Sequence, residues 1–396
     1  MPTQQQYQRN LVLINAMSFA RMFLIIIPVF VPLMSQYGLT MQQIMLTQSI
    51  FAACSLILEV PSGVLADWFG RKATLVIGSL LSGVGFSVLL WADTFWQVAL
   101  FEAIVGVAFS LISGSDTSLA FESEQALAKD NNQSSIARLL SWNSFGEAAA
   151  SLVAFVLVRY DLHWVVLGQV IVGWMPLLLS FGLTEPPRKQ QLKQQSIDWQ
   201  QVRSAISGYP VILALTGLFM LVSASTYMVA WLNPMLWIAF DIPVDYFGLL
   251  WAFISLTVAF STRFSSRLIK PNSAKPILLL PVLLFFGYAA LISSALIWVV
   301  AGAFLIAAFR GLTMPTIKLW VNRQIGNEYR ATVNSLITGS FRVSSLVLGP
   351  VLGLLVDHFG AHYAAFTLIV LFVPASIGLL LLAKGTRPAP VERIAG

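Results

Sequence analysis

Twelve long apolar runs, separated by polar stretches, make up most of this sequence. They fall at about 11–34, 42–65, 73–92, 95–119, 138–158, 164–183, 209–233, 246–264, 276–294, 296–320, 332–356 and 363–383. A helix rises 1.5 Å per residue, so roughly 20 apolar residues cross a hydrocarbon layer of about 30 Å. The runs have that length, and the pattern predicts an all-α membrane protein of twelve transmembrane helices. The first run carries Arg21 and is too long for the apolar core of a cleaved signal peptide, so it is read as a retained span.

The longest polar stretch, 184–208, reads "TEPPRKQQLKQQSIDWQQVRSAISG". Its paired prolines and its Gln and Lys content are those of a linker. It divides the chain into an N-terminal six-helix bundle (1–185), a linker (186–208) and a C-terminal six-helix bundle (209–396). A short echo supports two repeats. "SWNSFGEAAASL" in the fifth run and "ITGSFRVSSLVL" in the eleventh share Ser-Phe at 144–145 and 340–341. A 6+6 layout of this kind predicts a transporter.

Composition agrees with lipid as the solvent. Of 396 residues, 57% are hydrophobic and 10% charged, against roughly 25% charged in soluble domains. The net charge of +6 comes from basic residues scattered between the runs, with no basic arm or stripe, and nucleic acid is excluded as a partner. The single cysteine, Cys54, forms no intrachain disulfide. With the N-terminus placed in the cytoplasm, 18 of the 23 Lys and Arg fall on cytoplasmic connections and span edges, and only Arg159 falls opposite. The positive-inside rule therefore puts both termini and the linker in the cytoplasm.

Between runs two and three stands "EVPSGVLADWFGRK", Glu59 to Lys72. Its Gly63, Asp67, Gly70, Arg71 and Lys72, in the pattern G-x-x-x-D-x-x-G-R-K, form either a basic turn obeying the positive-inside rule or a functional loop. Gly63 would let helices approach closely and Gly70 would permit a tight turn. Asp67 at a helix end is placed to accept backbone N–H bonds from another helix start. The spacing, the span number and the membrane side resemble the signature loop of the major facilitator superfamily. The twelve-span layout extends that resemblance over essentially the whole chain. The resemblance implies two six-helix bundles that rock about a central site. It also implies that Asp67 latches onto the start of span eleven, near Arg330. Gly63, Asp67, Gly70, Arg71 and Arg330 are then a cytoplasmic gate. Asp116 and Glu122, near the same edge, are either further gate contacts or solvated ends.

The charges inside the runs follow the cost of charge in hydrocarbon. Arg21 lies in span one, Glu59 in two, Glu102 and Asp116 in four, Glu147 in five, Arg310 in ten and Arg342 in eleven. Spans three, six, nine and twelve have none in their interiors, and the resemblance makes those four the lipid-facing helices. Arg21, Glu147, Arg310 and Arg342 lie about 14–16 Å from the cytoplasmic end, near the midplane where such transporters bind substrate. They are read as substrate-binding residues or as internal ion pairs, with Glu147 or Glu102 as the partner of Arg21. Tyr227 and Trp231 in span seven either line an apolar pocket or pack in a core, and Trp237 is read as an interface anchor. Glu147, then Glu102 and Glu59, are the candidate proton carriers, with a structural role beside the loop as the other reading of Glu59.

Two departures weaken an antiporter reading. The family often has an arginine in span four where this chain has Glu102, and span five lacks the Gly-Pro-x-x-Gly-Gly sequence of drug/proton antiporters. Even so, "EVPSGVLAD" with "SGSDTSLAFES" resembles a bacterial subgroup of efflux proteins. The expectation is a monomeric secondary transporter of the inner membrane that exports a small organic molecule in exchange for protons. An anionic or zwitterionic metabolite, such as a carboxylate or siderophore, is the alternative cargo. A receptor or lipid scramblase on the same fold is the alternative class. No phosphate-binding loop, catalytic pair or metal-ligand spacing is present in the sequence, and no enzyme activity, cofactor or metal is expected.

Overall fold

The computed structural model describes residues 3–127, 132–186, 210–268, 280–324 and 330–385. Among them every regular element is helical. Span one is α1 (Gln4–Met22) and α2 (Phe30–Gln36), span two α3 (Met41–Phe69), and span three α4 (Arg71–Val88). Span four is α5 (Phe95–Ile112) and α6 (Ser115–Ala126), span five α7 (Asn132–Leu157), and span six α8 (Leu162–Phe181). The later spans are α9 (Pro210–Ala239), α10 (Phe247–Leu268), α11 (Leu280–Leu291), α12 (Leu296–Gln324), α13 (Arg330–Phe359) and α14 (Ala361–Gly385). Each of the twelve predicted runs thus overlaps helix among the described residues. Among the described residues, nine helical stretches are long and apolar enough to cross a membrane. Most of the predicted linker, 187–208, lies outside the described residues.

Two of the spans differ from the uninterrupted helices predicted. Span one stops at Met22, runs non-helically through 23–26 and resumes through a short 3-10 turn, Ile27–Val29, that contains Pro28. Proline has no N–H and cannot continue an α-helical ladder behind it. The N–H of Ile26, freed by the break, donates to Oε1 of Gln169 in α8, a buried side chain. Span four breaks at Ser113–Gly114, where Gly114 has φ +87°, a backbone that side chains resist.

The chain forms two compact units. The first comprises Met1–Gln191 with Ile242–Ser255, and the second Leu192–Asp241 with Leu256–Gly396. In the first unit α5 packs against both α3 and α4, α4 against α8, and α1 against α7, α8 and α6. Small residues set the α3–α5 approach. A Cβ on Gly106 would stand 2.7 Å from the Phe51 carbonyl oxygen and 3.1 Å from Cβ of Cys54, the close packing that association in lipid relies on. Gly63 was expected to serve this way and does not, since a Cβ there meets nothing within 4 Å. In the second unit α9 packs against α12, α13 and α14, and α11 against α12 and α14. Tyr288 is fully buried there, with its hydroxyl 2.7 Å from Oγ of Ser225 and 3.1 Å from the Ser225 carbonyl oxygen.

Candidate functional site

The α3–α4 turn is built on Gly70, whose φ of +99° and ψ of 156° lie in a region essentially reserved for glycine. Gly70 precedes the first residue of α4 and has no side chain to cap that helix. The cap comes from elsewhere. Glu185, just past α8, accepts the Arg71 N–H at Oε1 (2.8 Å) and the Lys72 N–H at Oε2 (2.7 Å). A carboxylate on exposed N–H groups at the positive end of a helix is favourable twice over. The Lys72 ammonium donates back to the Phe181 carbonyl at 3.1 Å. Asp67 was expected to cap a helix start. Within this unit it is the Arg71 guanidinium that it meets, at 2.9 Å, and Arg71 also reaches Glu122 at 3.6 Å. Sequence reading counted Glu185 with the polar stretch after span six and missed it. The Arg330 side chain, the expected partner of Asp67, lies outside the described residues.

Asn10 closes the same end of the unit. Fully buried, its amide donates to Ser123 Oγ (3.1 Å) and to the Thr184 carbonyl (2.8 Å), and its oxygen accepts the Thr184 N–H (2.8 Å). One side chain thus ties α1 to α6 and to the segment that carries Glu185.

Arg21 does not pair with Glu147 or Glu102. It bonds Asp116 at 3.2 Å and lies over the Phe109 ring at 5.5 Å. Asp116 is 5% exposed, so it is not a solvated helix end. The helix breaks explain the pairing. Arg21 is in the last turn of α1 and Asp116 in the first turn of α6, so each charge meets the helix-dipole end that favours it. Desolvation makes such a pair weak as a source of stability but costly to halve.

Glu102, also 5% exposed, accepts a hydrogen bond from the Gln48 amide of α3. Glu147 is accessible. It accepts bonds from Trp251 Nε1 (3.4 Å) and Ser255 Oγ (3.2 Å), both in the part of α10 that belongs to the first unit. Glu59 is half-buried in α3, two residues before Pro61.

Arg310, Arg342, Tyr227 and Trp231 all belong to the second unit. Arg342 is 6% exposed, whereas Arg310 is exposed. The Tyr227 and Trp231 rings meet edge-on, with centroids 6.2 Å apart. Trp237, expected at the membrane interface, is fully buried. It lies one helical turn beyond Asn233, itself 3% exposed, so that stretch of α9 faces protein.

The comparisons with known proteins agree with this architecture. Over residues 172 long, the chain is 27% identical to the multidrug resistance protein MdtH of Proteus mirabilis, covering 41% of this chain and 40% of that relative. A bacterial homolog of the human lysosomal transporter Spinster, solved in an inward-facing, occupied conformation, superposes with a TM-score of 0.77 at 14% identity. The superposition covers 97% of this chain and 98% of that one. The nucleoside transporter NupG gives a TM-score of 0.78 at 14% identity over 95% and 99%. At such identities these structures establish the fold alone. The sequence profile described as Major Facilitator Superfamily matches residues 11–350, which takes in the α3–α4 turn and the charged spans together. This chain belongs to the major facilitator superfamily, a family of membrane transporters.

Proposed function

We propose that the protein exports small amphipathic organic molecules across the bacterial inner membrane by alternating access, in exchange for protons, with both termini in the cytoplasm. The multidrug name of a relative supports efflux, although the match spans only about 40% of that relative. The observation that carries the coupling is Glu147, an ionisable group within an apolar helix that is nonetheless accessible and receives bonds from Trp251 and Ser255. An ionised carboxylate holds such donors about twice as strongly as a neutral acceptor. Proton uptake at Glu147 would loosen α7 from the start of α10, and proton release would restore the hold. Glu102, buried against Gln48, is the second candidate carrier, and Glu59 the third. Arg21 is neutralised by Asp116 and leaves the substrate set. Glu147 is assigned to the proton rather than to the substrate, and Arg310, Arg342, Tyr227 and Trp231 remain in the set. The α3–α4 turn with Glu122 serves as a gate, with Asp67 as its candidate latch.

An exposed guanidinium at Arg310, within an apolar helix, favours a second cargo, an anionic or zwitterionic metabolite. The test is a thermal-shift screen of amphipathic cations and of carboxylates on the purified protein. Flux of the compounds that bind is then measured in proteoliposomes with an imposed pH gradient. Cation flux that follows the gradient supports the first reading, and carboxylate flux the second. Flux indifferent to both pH gradient and membrane potential contradicts coupling. Binding without any flux points to a receptor, and lipid translocation without cargo to a scramblase.

A further inference from the structure

The last turns of α1 and the residues flanking the break in span four meet at a small cavity. Ile14, Leu75, Ile112 and Pro176 wall it from α1, α4, α5 and α8, and Ser18, Arg21 and Asp116 are its polar lining. Its free space, about 10 Å³, is near the minimum that accommodates one water molecule. Two buried polar atoms on the lining make no hydrogen bond within the protein, Nε of Arg21 and Oγ of Ser18. Ser18 and Arg21 are three residues apart in α1 and so share a face. The carboxylate of Asp116 is already engaged at one oxygen by Arg21 (3.2 Å) and at the other by the Thr117 N–H (2.6 Å), and each oxygen keeps a further lone pair.

We propose that this cavity is a binding site for a single water molecule, which accepts the Arg21 Nε–H and donates to Ser18 Oγ and to the Asp116 carboxylate. Three polar partners are what a buried water typically has. The volume excludes anything larger. Arg21 repels a cation and Asp116 an anion, so a neutral donor–acceptor fits best. A dry site would leave a guanidinium N–H and a hydroxyl buried and unsatisfied, which native interiors avoid. The water makes the two helix breaks a hydrated joint, in which hydrogen bonds can be exchanged while the ion pair stays closed.

The test is a cryo-EM map of the full chain in lipid nanodiscs, at a resolution that shows buried waters. A peak about 2.7–3.2 Å from both Arg21 Nε and Ser18 Oγ is expected. An empty site in a map that resolves other buried waters overturns the proposal. Two variants give a second readout. Ser18→Ala leaves room for the water, whereas Ser18→Val adds bulk in its place and strands the Nε–H. Ser18→Val should melt below Ser18→Ala, and equal or higher melting overturns the proposal. Should Ser18→Val not fold, the wild-type map decides.

Discussion

Arg71 at the α3–α4 turn and Arg21 at the helix breaks are covered to the same degree, with side chains 15% and 16% exposed. Their acids are not. Asp67 and Glu122 are 33% and 30% exposed, and Asp116 is 7%. Arg71 is shared between two carboxylates that water also solvates, so either contact can open without stranding a buried charge. Arg21 has one carboxylate, held away from bulk water, and neither partner can leave alone. The first arrangement suits a contact that must make and break during a transport cycle. The second suits a fixed joint. Accessibility of the acid, more than the presence of an arginine, separates the proposed gate from the strut.

The largest effect is expected at the strut. Arg21→Met or Asp116→Asn should destabilise the protein by about 3–5 kcal/mol, the usual cost of halving a buried pair. Arg21→Met combined with Asp116→Leu should recover much of that loss in a thermal-unfolding assay. Additive losses in the double variant would mean the pair is not a closed unit. The next effect concerns glycines in the packing of α3 and α5. Gly106→Ala pushes a methyl group into the Phe51 carbonyl and should cost about 1–3 kcal/mol, while Gly63→Ala, which meets open space, should be neutral or stabilise by up to about 1 kcal/mol. At the α3–α4 turn, Glu185→Ala removes the cap on α4 and should cost about 1–2 kcal/mol. Faster amide exchange at Arg71 and Lys72 would register it. The smallest effect is that of Asp67→Asn, which removes one partly solvated pair and should shift stability by no more than about 1 kcal/mol. It should still raise labelling of cysteines placed near the turn. A large loss of stability from Asp67→Asn would erase the distinction between gate and strut.

The all-helical, multi-span architecture was legible because hydrophobic length alone dictates what crosses a bilayer. The breaks were not. Ile25, Ile26 and Ile27 carry the apolar pattern straight through the first one, and a proline such as Pro28 is ordinary within spans. With the breaks unseen, Arg21 looked like a mid-helix charge facing the midplane acids. Its partner depends on where α1 ends and α6 begins. The glycine at the tight turn was legible from chemistry, since only glycine takes the conformation of Gly70 readily. The cap by Glu185 was not, because it joins residues more than a hundred positions apart through the packing of α4 on α8. Glu147 could be picked out as a charge in an apolar run. Its bonds to Trp251 and Ser255 required the tertiary structure.

Proton coupling through Glu147 is tested most directly by one paired measurement. Wild type and Glu147→Gln are reconstituted side by side, and accumulation of a fluorescent amphipathic cation such as ethidium is followed under an imposed pH gradient, with its binding measured on the same preparations. Wild type should accumulate the dye under the gradient, and Glu147→Gln should bind it unchanged with that accumulation lost. Full gradient-driven accumulation by Glu147→Gln would contradict coupling through Glu147.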